Sequence, residues 1–191
     1  MILITTSHRP TQKMRTLIKD LNRVLPNTIR TNRGKLSMKG VAEKALEYRA
    51  DRVIIVERYK GSPGGILLYK ITSDRLEQIP PQIYLNEVKT QDELGERKSV
   101  KGNLTITTPS NPSIEAKKLA AGLSDFLRIP YLEQENQLNS QATMQITPTP
   151  RYEAKISFTM PPTVKDVGPI LIVKHVSYQG SDNERKNLNK G

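Results

Sequence analysis

Nine of the first forty residues are cationic: Arg9, Lys13, Arg15, Lys19, Arg23, Arg30, Arg33, Lys35 and Lys39. Asp20 is the only acid among them, so this stretch carries +8 of the chain's net +11. Guanidinium and ammonium groups at this density repel one another unless a polyanion relieves them, and sugar-phosphate chains are their natural ligand. Other chemistries find little support. The chain has no Cys, which excludes disulfides, thiolate zinc sites, iron–sulfur clusters and a cysteine nucleophile. Its two histidines, His8 and His175, are too far apart in sequence to suggest a metal centre. Ser7 beside His8 lacks the third member of a relay. Gly61–Gly65 lacks the lysine of a phosphate loop and leads into strand-like Ile66-Leu67-Leu68, so it reads as a hairpin turn. The acid pairs Asp92/Glu93 and Glu133/Glu135 fall in loops and read as solvated surface. The expectation is a protein that is not an enzyme, with no cofactor, metal or small-molecule substrate.

The spacing of the cations gives them places. Thr11, Arg15, Lys19 and Arg23 lie four apart and so share a helix face. His8 and Arg9 stand just before that helix, whose free N–H groups and positive dipole end favour a phosphate. Arg30, Arg33, Gly34 and Lys35 form a second basic element at a strand end, where Gly34 permits a positive φ and Arg33 and Lys35 can flank one ligand oxygen. Residues 1–40 contain no Phe, Tyr or Trp. Base stacking therefore cannot dominate at this patch, which suits structured RNA read by shape and phosphate. A basic DNA-binding protein and a protein–protein scaffold without direct RNA contact are the alternatives.

The elements that must position these groups follow from periodicity. Leu3–Thr6 reads as a strand, and Pro10 opens a helix with Met14, Leu17, Ile18, Leu21, Val24 and Leu25 on its apolar face. Thr28–Thr31 is a short strand, and Ser37 caps a helix with Met38, Val41, Ala42, Ala45 and Leu46 inward. Arg52–Arg58, Ile66–Thr72 and Ile83–Val88 read as strands, and Lys89–Lys98 as a connector. Leu104–Thr108 is again a strand, Pro112 opens a helix to Leu127, and Tyr152–Met160 and Ile170–Tyr178 are strands. The stretch Glu133–Ala142 shows no clear period, and residues 181–191 form a polar tail. No apolar run approaches the roughly 18 residues of a membrane span, and the N-terminus lacks a signal-peptide pattern, so a soluble cytoplasmic protein without membrane contact is expected.

Ile4–Leu25 and Ile106–Leu127 match without a gap at an offset of 102, from ITT through the proline to the apolar helix face. The charge does not repeat. Thr11, Arg15, Lys19 and Arg23 have Ser113, Lys117, Ala121 and Asp125 as counterparts, and Asn111 reads as an N-cap of the second helix. A phosphate is expected at the first copy only.

The segment ITTSHRPTQKMR, the turn Asn32-Arg33-Gly34-Lys35 before a second helix, the two-half organisation and the terminal strand LIVKHVSY resemble the Brix domain, over nearly the whole chain. The family pattern has a Ser-Arg-x-Pro-Ser-like segment after the first strand. Here Ser7-His8-Arg9-Pro10-Thr11 sets the arginine next to the proline. The resemblance implies an α/β fold of mixed sheets, with a basic half at 1–90 and a repeat at 100–180. Each half would be similar to the anticodon-binding domain of class II aminoacyl-tRNA synthetases. It implies an archaeal-type RNA-binding ribosome-assembly factor without catalytic activity, with pre-rRNA or guide RNA and other assembly proteins as partners.

Overall fold

The computed structural model describes residues 1–73, 75–95, 97–100, 102–133, 141–161 and 163–179. The polar tail and most of Glu133–Ala142 lie outside them. The elements run β1 (Ile2–Thr6), α1 (Gln12–Val24), β2 (Thr28–Arg30), α2 (Met38–Glu47), β3 (Arg52–Tyr59), β4 (Ser62–Thr72) and β5 (Arg75–Lys89). They continue as β6 (Leu104–Thr108), α3 (Ile114–Leu127), β7 (Tyr131–Glu133), β8 (Ala142–Thr147), β9 (Ala154–Met160), β10 (Thr163–Asp166) and β11 (Ile170–Ser177).

All strands join one mixed sheet in the order β2-β1-β3-β4-β5-β11-β9-β8-β6-β7, with β10 paired to β9. Read inward from either edge, the pattern is the same: β1 lies between parallel β2 and β3, and β6 between parallel β7 and β8. The two series meet where β5 and β11 pair antiparallel.

Strand alternation divides the core. Ile2, Ile4, Ile54, Val56, Ile66 and Leu68 face one way, with α1 and α3 packed over them. Leu3, Val53, Ile55, Leu67 and Tyr69 face the other way, under α2. Across β6, β8 and β9 that second face is polar, with Thr105, Thr107, Thr143, Gln145, Ser157 and Thr159 alternating with core residues. It offers no apolar strip of the kind that seats α2, and among the described residues no helix follows β7.

Both long helices start one turn-residue later than Pro10 and Pro112 suggest. Thr11 and Ser113 are the N-caps, accepting the N–H of Met14 (3.4 Å) and Ala116 (3.1 Å). Asn111 is not a cap. Like its counterpart Arg9 it holds a left-handed backbone, at φ 59 against φ 51. The hairpin turn is Lys60-Gly61, and Ser62–Gly65 already belongs to β4.

The connector between β5 and β6 is held by a buried acid on α1. Asp20 is fully buried. Its Oδ2 accepts the Gln91 N–H (2.9 Å) and its Oδ1 accepts from Arg23 Nη1 (3.1 Å). The buried Gln91 side chain donates in turn to Lys98 O (2.7 Å) and Val167 O (2.9 Å). Burial, the leading cause, raises the Asp20 pKa above its ordinary 3.8, against the Gln91 hydrogen bond and the Arg23 charge. The folded chain thus holds this proton more tightly than the unfolded chain. The stabilising contribution is full below pH 3.8 and is lost as pH rises through the raised value. Asp20→Asn does not titrate. In urea unfolding across the acid range, its stability relative to the parent protein should rise as pH rises through that window.

Candidate functional site

The parallel trio β2-β1-β3 ends at one edge of the sheet, and the N-termini of α1 and α2 arrive at the same edge. In open α/β sheets this carboxyl end is where ligands sit. The loop Ser7-His8-Arg9 leaves β1 in the middle and is gripped from both sides. From the β2 side, Arg33 Nη2 reaches His8 Nε2 at 3.4 Å. From the β3 side, Arg58 N–H donates to Ser7 Oγ (3.1 Å) and Arg58 Nη1 donates to Arg9 O (3.3 Å). Thr31 N–H to Ile4 O (3.0 Å) and Thr5 Oγ1 to Thr31 O (3.1 Å) fasten the β2 exit to β1. Three consecutive loops are thereby fixed into one ledge.

The cations expected to bind an anion do not all serve it. Arg33 is 4 % exposed. Its Nε donates to Leu36 O (2.7 Å), and its two terminal nitrogens lie 3.6 and 3.5 Å from Met38 Sδ. Burial lowers its pKa below the usual arginine range. Arg33 holds the turn into α2, rather than flanking a ligand oxygen beside Lys35. Gly34 does take the left-handed backbone, at φ 53.

The row on α1 also divides. Thr11 uses its hydroxyl as the cap. Each step of four residues turns about 40° further round a helix of 3.6 residues per turn. By Arg23 the row has rotated away from Arg15, onto the side where Asp20 and Gln91 receive its guanidinium at 3.1 and 3.3 Å. Lys13 pairs with Glu93 at 2.8 Å. Asp92, held below the usual carboxylate range mainly by Arg97, also feels the charges of Arg23 and Lys19. The acids read from sequence as idle surface therefore offset much of α1. Arg9, Arg15, Arg30 and Lys35 remain exposed, with no hydrogen bond or ion pair to their side chains among the described residues. Lys19 and His8 are exposed beside them.

Sequence reasoning missed Arg58, Tyr59 and Lys60, which β3 delivers to this edge from far along the chain. Their signal was the run of basic, aromatic and basic residues just before Gly61. The corresponding edge of β6 and β8 differs. There a cleft of about 270 Å³ is lined by Thr107, Thr108, Pro109, Ser110, Gln145 and Thr147, with no charged group. Lys117, the counterpart of Arg15, is paired with Glu133 at 3.1 Å. Among the described residues no three His, Asp or Glu side chains gather as a metal site, and no helix is long and apolar enough to cross a membrane.

Comparison with known proteins gives a consistent set. No family model matches the chain. A probable Brix domain-containing ribosomal biogenesis protein of Methanopyrus kandleri is 33% identical over 140 residues, covering 71% of this chain and 70% of that protein. One of the same description from Pyrococcus abyssi is 37% identical over 97 residues, covering 51% of this chain and 43% of that protein. The match thus spans less than half of the Pyrococcus relative. Among solved structures, a probable ribosomal biogenesis protein from Aeropyrum pernix K1 superposes with a TM-score of 0.79 at 24% identity, over 94% of this chain and 97% of that one. Mil, an archaeal Imp4-like protein, gives 0.64 at 18% identity, over 93% and 99%. These two share the fold: a large mixed sheet with few helices.

The burial of Arg33 has a measurable consequence. Arg33→Ala should lower unfolding stability by about 1–3 kcal/mol, because the half-buried Leu36 carbonyl loses its charged donor. Urea denaturation checks this; a loss within about 0.5 kcal/mol is what a solvated surface arginine would give.

Proposed function

The chain belongs to the Brix domain-containing family of ribosomal biogenesis proteins, and on that footing we propose that it binds structured ribosomal precursor RNA by its phosphate backbone. The binding surface is the ledge at the carboxyl ends of β2, β1 and β3. The observation that carries this reading is the set of exposed side chains of Arg9, Arg15, Arg30 and Lys35, unpaired among the described residues, around a loop fixed by Arg33 and Arg58. Cations without carboxylate partners keep their charge available for phosphate, and the bonded loops hold them without further ordering cost. Lys19 and His8 border the same surface. Arg23, Arg33 and Thr11 support it from within.

The protein acts in this reading as a non-catalytic assembly factor of the archaeal cytoplasm, assisting rRNA processing with other assembly proteins. Residues 1–90 form the RNA-facing half, and 100–180 its repeat. The reading of the second half as a repeat of the first is supported by the strand order, which runs the same way inward from both edges.

A salt titration of binding to a precursor rRNA fragment tests the proposal. Arg9→Ala, Arg15→Ala and Lys35→Ala should each flatten the slope of log K against log salt by about one. Arg23→Ala should leave the slope unchanged. Failure of the pure chain to bind rRNA at low salt, with retained association with assembly proteins, would favour a scaffold. Equal competition by duplex DNA would favour a DNA-binding protein.

A further inference from the structure

The cationic ledge carries one exposed aromatic ring. Tyr59 closes β3 and is 65 % exposed. The residue before it, Arg58, is bonded to Ser7 and Arg9. The residue after it, Lys60, sets its Nζ 5.5 Å from the Tyr59 ring centroid. Single exposed apolar residues are ordinary on protein surfaces. Three features set this one apart.

The first is rigidity. Lys60-Gly61 is a two-residue hairpin turn with both residues at positive φ, 46 and 82. Gly suits its place there, whereas Lys accepts strain in a position that Asn would fill more easily. The second is seating. A Cβ on Gly64 would fall 2.1 Å from Tyr59 Cβ and 3.1 Å from its Cα and N, so glycine lets β4 close against the base of Tyr59 and fix where its side chain starts. The third is company. Lys60 lies over the ring, and Arg58, next to Tyr59 in the strand, is bonded to the loop that carries Arg9. An aromatic ring with cations within reach of the flanking phosphates is the arrangement that holds an unstacked base while its phosphates are neutralised.

We propose that Tyr59 is a stacking platform for an unpaired nucleotide, so that the ledge reads a bulge, loop or single-stranded junction in its RNA rather than uniform duplex. This rests on the phosphate-binding reading above and adds a ligand feature to it. It also adds one stacking contact to a patch where base stacking is expected not to dominate. That expectation followed from the lack of aromatics in the first forty residues, and the fold imports one from β3.

The test uses the full chain and two fluorescently labelled RNA hairpins, one fully paired and one carrying a single-nucleotide bulge. Tyr59→Ala should weaken binding to the bulged hairpin by about tenfold, the order expected for one base–aromatic stack. It should leave the paired hairpin and the salt slope unchanged. Tyr59→Phe should bind both as the parent does. With 2-aminopurine in the bulge, the parent and Tyr59→Phe should quench its emission on binding and Tyr59→Ala should not; the chain has no Trp that could stack in its place. If Tyr59→Ala binds both hairpins like the parent while Arg15→Ala still flattens the salt slope, the stacking role is overturned and phosphate binding stands. If the parent chain binds neither hairpin at low salt, both proposals fall together.

Discussion

The antiparallel pairing of β5 with β11 is the constraint on which the rest of this molecule depends. It runs from Ile170 opposite Lys89 to Ser177 opposite Gln82, and it fuses two strand series into one sheet. It also places α1 and α3 on the same face, where Leu21 and Leu25 meet Leu123 and Leu127 around a void of only about 40 Å³. Neither helix then needs a complete core of its own. The close fit is visible at Gly122, where even a Cβ would come within 2.9 Å of Pro81 on β5. On the opposite edge Arg52, at the start of β3, donates to the carbonyls of Asp125 and Phe126 and so caps α3. Arg128 in turn pairs with Asp51 at 2.5 Å. The two series are thus tied by sheet, core and helix cap.

On that shared scaffold the matched segments of the two copies differ in charge. Much of the leading copy's charge is neutralised by structure. Asp20 takes Arg23, Glu93 takes Lys13, and Asp92 lies in the field of Lys19. What survives is concentrated at the carboxyl ends of β2, β1 and β3, where no carboxylate answers Arg9, Arg15, Arg30 or Lys35 among the described residues. The matching edge of the second copy displays hydroxyl and amide groups. Arg33 shows the division of labour within the basic segment. It forgoes a ligand in order to hold the turn and His8, so that its neighbours keep a fixed bearing.

Local pattern made most of the elements legible. The period of Met14, Leu17, Ile18, Leu21 and Val24 fixes α1, Ser37 caps α2 as read, and the apolar runs of β3, β6 and β11 fall within a residue or two of their observed limits. Three features escaped for physical reasons. The first half of β5 contains Pro80-Pro81 and the charged Arg75 and Glu77, which hide a strand that only its neighbours define. In β8 the inward set Ala142, Met144 and Ile146 alternates cleanly, but the unpatterned segment before it obscures the signal. The Asp20–Gln91 bond is a contact 71 positions apart that no local rule reveals. The candidate site was legible as a segment and not as a surface. Charge counting located the first forty residues, but which cations are spent internally depended on Asp20, Glu93 and Met38. The part brought by Arg58, Tyr59 and Lys60 depended on the pairing of β1 with β3.

Photo-crosslinking of the full chain to precursor rRNA, with the adducted peptides located by mass spectrometry, tests the central asymmetry most directly. The account predicts adducts confined to the peptides bearing His8–Arg15, Arg30–Lys35 and Arg58–Lys60, with none on the corresponding segment Pro109–Lys117. Adducts spread equally over both edges, or confined to the hydroxyl-lined one, would contradict it.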